Sequence, residues 1–423
     1  MGQRTFAPIL AAVLVLWPII AYMGAQGYTG AVAIAALLGL FYVRVHSIKI
    51  YAVACLAFVL WVVAAGTWSP ESNALLTGNL LAGSFSMDMP GVRFGLTALA
   101  GLGVIVATSA IAVRSSETSM KVILAAGFVQ FIGVLVTAIF MPQILALLAP
   151  ISDPVHEMPQ NLLRNATCFM LLMPLLLAWL WHHPKSEWGS ILAISMLVLA
   201  IGAFLQIGNQ TAAVGAIFML MAMAIVKWMP RNGFKLIFTS IAFYIVAAPM
   251  LLTTALAHLR ATGLPLPRSF FSRTYSWELV SAKIGEARLI GHGPEASHLW
   301  QDTFSDHPAW LADATARFGD SYAWEVYRVV PIHPHNMPLQ VWAETGMIGA
   351  VFAALFLFFL GWRLKAPADW PPVSKYAAAG LVGACIAVCS FAYSMWNEAF
   401  WASIVIASAV ILLQARQAGE PSA

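Results

Sequence analysis

Twelve stretches of this chain are apolar over about 20 residues each, the length an α-helix needs to cross the hydrocarbon of a bilayer. They fall near 7–24, 29–45, 49–68, 94–113, 121–141, 165–182, 189–207, 211–228, 235–257, 338–361, 374–393 and 397–415, the second being the weakest. Lipid offers no partner for a bare peptide group, so each stretch must close its own hydrogen bonds as a helix. The expected fold is all-α: a polytopic membrane protein of about twelve transmembrane helices. Composition points the same way, because 61% of the 423 residues are hydrophobic, only 9% are charged, and the mean hydropathy is +0.81. A soluble core of this size could not bury that much apolar surface. The run after Arg4 has no evident cleavage site and further spans follow closely, so it reads as the first span and not a signal peptide. Cys55, Cys168, Cys385 and Cys389 all lie inside apolar runs and read as small core residues, not as a disulfide framework or zinc site.

The placement of charge orients the chain. If the N-terminus is cytoplasmic, the cytoplasmic segments carry thirteen basic residues and four acids, while the short external loops carry only Arg93 and Arg164. Losing or adding a central helix would scramble that alternation. Seven further basic residues sit in one long segment, about 258–335, which falls outside between spans nine and ten. In it SWELVSAKIGEARLIG and HPAWLADATARFGDSYAWEVYRV read as amphipathic helices, and six of the chain's ten histidines are here. The expected organisation is nine spans over 1–257, a helical periplasmic cap over 258–337, three spans over 338–415, and a cytoplasmic tail over 416–423. No repeat relates two halves, which counts against a transporter of two six-helix units. The expected partner is the bilayer, and no nucleic acid.

Chemistry concentrates in HPHNMPLQVWAETGMIG, His333 to Gly349, where polar groups gather at the mouth of a very apolar helix. Such groups are costly at membrane depth and commonly functional. Asn336 is placed to cap the helix starting at Met337, with Pro338 tolerated in its first turn. Asn336, Gln340 and Glu344 recur every four residues as one polar stripe. His335 is suited to proton transfer near neutral pH, with His333 beside it. Left to themselves, two histidines could merely cap and solvate the helix end, and as a metal pair they lack a third ligand; no DxD pair holds a metal against a diphosphate either. Outside the spans, Arg273 stands one turn before Trp277 in SFFSRTYSW, and Arg164 lies at the outer end of span six. A guanidinium there suits a phosphate, against the alternative of snorkelling to headgroups. IGHGPEAS is Gly-rich but reads as a turn, not a phosphate loop.

These residues resemble the O-antigen ligase and polymerase superfamily. His335, Asn336, nine residues, Gly346, two residues and Gly349 fit its signature, and SRTYSWELVSAKIGEARLIGHG resembles its Arg-x3-Trp helix. The layout of spans with a late, long outer loop is similar over nearly the whole chain. The resemblance implies a metal-independent, inverting glycosyltransferase of the bacterial inner membrane without a cofactor, its active site facing the periplasm. It would move a glycan from undecaprenyl diphosphate to a sugar hydroxyl, on lipid A core or a similar acceptor for a ligase and on another repeat unit for a polymerase. It further implies His335 as the base that activates the acceptor and Arg273 as a diphosphate ligand. Members often carry a Ser-Arg or Ser-Lys before Thr-Ala at the start of span eight; here Gln210 holds the cation's place in GNQTAAVG, so Arg164 is expected to supply the missing charge. A transporter of lipid-linked glycans is the alternative from another class, and it would call for charges buried in mid-span.

Overall fold

A computed structural model describes residues 6–20, 25–42, 50–70, 89–109, 117–148, 158–182, 188–319, 322–363 and 370–417. Among them the secondary structure is helical, apart from one isolated antiparallel bridge between Thr303 and Arg328. The helices are α1 (Ala7–Ile20), α2 (Ala25–Gly39), α3 (Ile50–Ala65), α4 (Pro90–Ser109), α5 (Glu117–Leu148), α6 (Met158–Trp181) and α7 (Trp188–Ile207). They continue as α8 (Gln210–Trp228), α9 (Gly233–Ala261), α10 (Arg268–Glu286), α11 (Pro308–Phe318), α12 (Met337–Arg363), α13 (Pro372–Phe391) and α14 (Glu398–Gln417).

Nine of these, α4 to α9 and α12 to α14, are long and apolar enough to cross a membrane. The chain is therefore a multi-pass membrane protein. The first three apolar helices are shorter in the described residues, 14, 15 and 16 residues, or roughly 21 to 24 Å at the helical rise. Arg4, Arg44, Lys49, Arg114, Lys185 and Lys365, which carry part of the charge alternation, lie outside the described residues, as do Glu187, Asp369 and Glu420.

Contacts sort the helix ends into two groups. At one end, Ser69 beyond α3 donates to the Pro294 carbonyl (2.6 Å), and Arg93 at the start of α4 pairs with Glu398 at the start of α14 and with Glu295 (3.2 Å each). Asn209 before α8 donates to the Leu163 carbonyl near the start of α6 (2.8 Å). At the other end, Arg416 of α14 donates to the Ser109 carbonyl of α4, His182 stacks on Tyr376, and Lys235 lies over the Trp362 ring at 5.3 Å. Trp181, Trp188, Trp228 and Trp362 are all exposed at this second end, as amphipathic rings are at a headgroup boundary. α9 and α12 thus run in opposite directions, as do α6 and α13, while α4 and α14 run the same way; the segment carrying α10 and α11, the cap, meets the first end through Pro294 and Glu295.

That cap has its own core. Phe271, Tyr275, Phe304 and Trp324 are buried and meet mostly edge to face, with centroids 5.1 to 6.2 Å apart. Tyr275 donates to Asp313 (2.5 Å), which also takes Arg317 (2.8 Å), so α10 and α11 are joined by a shared carboxylate. The second amphipathic stretch is helical only to Phe318: Gly319, at φ 69°, ends it, and a 3-10 turn (Trp324–Val326) follows. The expected long helix fails because Gly319, at φ 69° and ψ −178°, adopts a non-helical backbone that glycine takes without steric cost. The first stretch is helical to Glu286, with Ala287 as its C-cap, and a turn leads on to Gly291 at φ 71°.

α12 packs between α9 and α3. Trp342 donates to the Ile245 carbonyl of α9 and Trp61 of α3 to the Thr345 carbonyl, both at 2.8 Å. The helix is broken at Gly346 (φ 69°, ψ −172°), a region that only glycine occupies without strain. The segment after α10 docks into the break. Met347 and Ile348 donate to the Arg288 and Leu289 carbonyls (2.9 and 3.3 Å), and His292 and Gly293 donate to the Ala343 and Glu344 carbonyls (2.8 Å each). Backbone freed by the break is satisfied inside the protein, as membrane depth requires. A Cβ on Gly346 would sit 2.3 Å from the Leu289 oxygen, and one on Gly291 would sit 2.5 Å from the Glu344 carbonyl carbon.

Candidate functional site

The loop before α12 delivers His335 at the cap boundary in a left-handed backbone conformation (φ 52°), which a non-glycine residue holds only where its surroundings over-determine it. Three contacts do so. His335 N–H donates to His333 Nδ1 (3.1 Å), Trp277 Nε1 of α10 donates to the Pro334 carbonyl (2.8 Å), and His335 Nδ1 meets the Ala392 carbonyl (2.8 Å). A carbonyl only accepts, so Nδ1 carries the proton and Nε2 is left with a free lone pair. Burial, and after it the charge of Arg273, pushes the His335 ring down to about 4. His333 is held well below its ordinary value by burial, then by His335, Arg273 and His298. Both rings are thus neutral at pH 7.

Arg273 lies on the face of α10 toward this loop. It lines a cavity of about 90 Å³ together with Ser269, Ser272, Ser276, Tyr327 and His335. Burial holds its guanidinium below the ordinary value, and an arginine keeps its charge in a protein. Among the described residues no carboxylate pairs with it, unlike Arg93, Arg260 and Arg317, which all have one. A half-buried cation facing hydroxyls and a neutral imidazole is an arrangement that favours a bound anion with several oxygens.

The polar stripe below the loop is spent on structure. Asn336 Oδ1 caps α12 by accepting from Leu339 N (3.1 Å), while its Nδ2 donates to the Tyr244 hydroxyl (2.9 Å) and the Ser390 carbonyl (3.2 Å). Gln340 joins Ser394 (3.0 Å) and Met395 N (2.9 Å), fixing the turn between α13 and α14 from which Ala392 reaches His335. Glu344 is fully buried. Its carboxyl accepts from Glu295 N (2.9 Å), the Ser297 hydroxyl (2.5 Å), Gln340 Nε2 (3.3 Å) and Trp396 Nε1. It therefore ties the cap loop, α12 and the turn before α14 together, at some remove from the cavity. Gly349 lies against the Thr345 side chain, where an added Cβ would sit 2.0 Å from Oγ1.

Arg164 and Gln210 share a neighbouring corner. Arg164 donates to Asn161 on its own helix (2.9 Å). Asn209 caps α8 through Ala212 N (2.9 Å), and its amide donates to Leu163 and Thr167 (2.8 Å each), so exposed Gln210 sits beside the turn carrying Arg164. Tyr393, next to the Ala392 that holds His335, faces Thr167. The turn before α14 bridges the two corners, but no hydrogen bond joins Arg164 to Arg273 or His335 among the described residues.

Sequence reasoning missed Asn209, the carbonyl of Ala392 and the serines of α10. The serines had a signal, since positions 269, 272, 273 and 276 fall on one helical face. Ala392 had none, because any residue supplies a carbonyl. Among the described residues no three His, Cys, Asp or Glu side chains gather as metal ligands would. No curated protein and no solved structure gave a significant match to the chain. Residues 162–354, which include the cap, the break in α12 and both arginine corners, match the family model described as O-antigen ligase, so this part of the chain is similar to that family.

Proposed function

We propose that this protein transfers a glycan from a polyprenyl diphosphate, undecaprenyl diphosphate in a bacterial inner membrane, to a sugar hydroxyl on the cap side of the bilayer. The observation that carries the proposal is the shared cavity: the guanidinium of Arg273, which no carboxylate pairs among the described residues, and the imidazole of His335, whose Nδ1 is held by the Ala392 carbonyl. In this reading the lipid tail lies between helices and the diphosphate rests at Arg273, with Arg164 and Gln210 toward the neighbouring corner. His335 Nε2 takes the proton of the acceptor hydroxyl as its oxygen attacks the anomeric carbon. The bond from that carbon to the diphosphate breaks, and the electron pair leaves with the phosphate oxygen, whose charge Arg273 stabilises. Attack opposite the leaving group inverts the anomeric centre. His333, Asn336, Gln340 and Glu344 act as orienting groups through the backbone and turns they hold; Trp277, Gly346 and Gly349 are structural.

The acceptor is lipid A core for a ligase and a second repeat unit for a polymerase, and the chemistry is common to both. Deletion of the gene separates them on a gel of surface glycan. Free core with unattached polymer is expected for the ligase, and core bearing single repeats identifies the polymerase. An unchanged gel contradicts both. Purified protein is expected to keep full turnover in excess EDTA, and a strict metal requirement would contradict the proposed mechanism.

A further inference from the structure

Ser276 lies one turn beyond Arg273 on α10 and lines the same cavity. Its residue is 2% exposed, and its hydroxyl oxygen is buried without a hydrogen-bond partner among the described residues. This sets it apart on its own helix. Ser272, Thr274 and Ser281 each donate to a carbonyl three or four residues back (3.3, 2.7 and 2.7 Å), the usual resort of a hydroxyl inside a helix. An unmade hydrogen bond on a buried hydroxyl is costly, so a partner of the right kind would bind there with an advantage. The cavity narrows the choice. It offers one cation and three serine hydroxyls but no carboxylate, and about 90 Å³ is room for a compact group, several times the least space one water requires. An oxyanion meets those terms better than a sugar ring does.

We propose that the Ser276 hydroxyl donates to a non-bridging oxygen of the phosphoryl group bound at Arg273, making the two residues a single clamp for the donor's diphosphate. The assignment rests on the glycosyl-transfer reading given above. A guanidinium supplies charge and a planar fork; a hydroxyl set one turn along the helix supplies a donor from a second direction, and a tetrahedral phosphoryl group presents oxygens to both. Ser276 would then be a ligand-binding residue with no stabilising part in the empty fold.

The test uses full-length protein in detergent with EDTA, inorganic diphosphate as the probe, and two readouts: the melting temperature without ligand, and the dissociation constant from tryptophan fluorescence. Ser276→Ala and Ser276→Cys are expected to melt at or above the wild-type temperature when empty, because neither leaves a strong donor unsatisfied. Both are expected to bind diphosphate about ten-fold or more weakly, the loss usual for a hydrogen bond to a charged group. Arg273→Gln should abolish binding. Wild-type affinity in both Ser276 variants, with binding lost in Arg273→Gln, would overturn the role of Ser276 and leave the functional reading standing. Failure of the wild-type protein to bind diphosphate would overturn both. A Ser276→Ala protein that fails to fold, or melts several degrees lower with unchanged affinity, would make the hydroxyl structural and overturn the proposal. So would a raised KM for the acceptor alone.

Discussion

The chemical character of His335 is set by what surrounds it and not by the imidazole itself. Its ring is neutral because burial disfavours the cation and Arg273 repels it, and the Ala392 carbonyl works the other way by holding the Nδ1 proton. The sign of the pH dependence follows. The folded value, about 4, lies below the ordinary 6.5, so the base form persists well into acid, and kcat/KM should stay level from pH 8 to about pH 5 before it falls. Removing the charge in Arg273→Gln takes away one of the two depressing causes, and the His335 ring, followed by NMR titration, should take its proton at higher pH than in the wild type. Titration of the ring at 6.5 in both proteins would contradict this. The same depression bears on folding: the stability due to this neutral ring is whole above pH 6.5 and is lost as pH falls toward 4, because the unfolded chain takes the proton first. His335 and Arg273 were legible in the sequence by their motifs. The left-handed backbone of His335 was not, since its supports, Trp277 and Ala392, lie 57 positions away on either side of Pro334 and His335.

At the scale of elements, the break in α12 is what joins cap to membrane helix. Read as a sequence, Met337 to Arg363 is one span, and the polar positions 336, 340 and 344 look like a single stripe aimed at a site. The fold divides them. Asn336 caps the helix, Gln340 holds the turn before α14, and Glu344 binds a loop that begins 49 positions upstream. Periodicity gave their common face, while their partners come from distant elements that no local pattern reveals. Gly346 is the most sensitive point, because an alanine there meets both a φ of 69° and the Leu289 carbonyl. Gly346→Ala should destabilise the protein by about 3 kcal/mol, the sum of a strained backbone and a steric clash, seen as a lower melting temperature in detergent. Diphosphate binding should weaken with it, since α10, which carries Arg273, is anchored through the docked segment. A melting temperature within a degree of wild type would contradict this picture of the break.

For the whole molecule, hydropathy located the helices: among the described residues nine long apolar helices and three shorter ones fall in the expected stretches. What hydropathy could not give is how the ends meet. Ion pairs and carbonyl contacts gather the ends of α3, α7 and α13 with the starts of α4, α6, α8, α12 and α14, and Arg260 at the end of α9 pairs with Glu278 of α10. Single cysteines at Ser305 in the cap and Arg231 at the opposite end, in an otherwise cysteine-free protein, should be labelled from opposite sides of the intact inner membrane, the first from the periplasm. Labelling of both from one side would overturn the proposed topology. The central claim is that cap and spanning helix together place Arg273 and His335 around one transfer reaction. It is tested most directly by single-turnover transfer from a purified lipid-diphosphate-linked glycan to acceptor, comparing wild type with His335→Ala. The expected result is a rate lower by about 10² to 10⁴, the usual worth of a general base, in a folded protein that still binds diphosphate. Wild-type turnover in His335→Ala would contradict it.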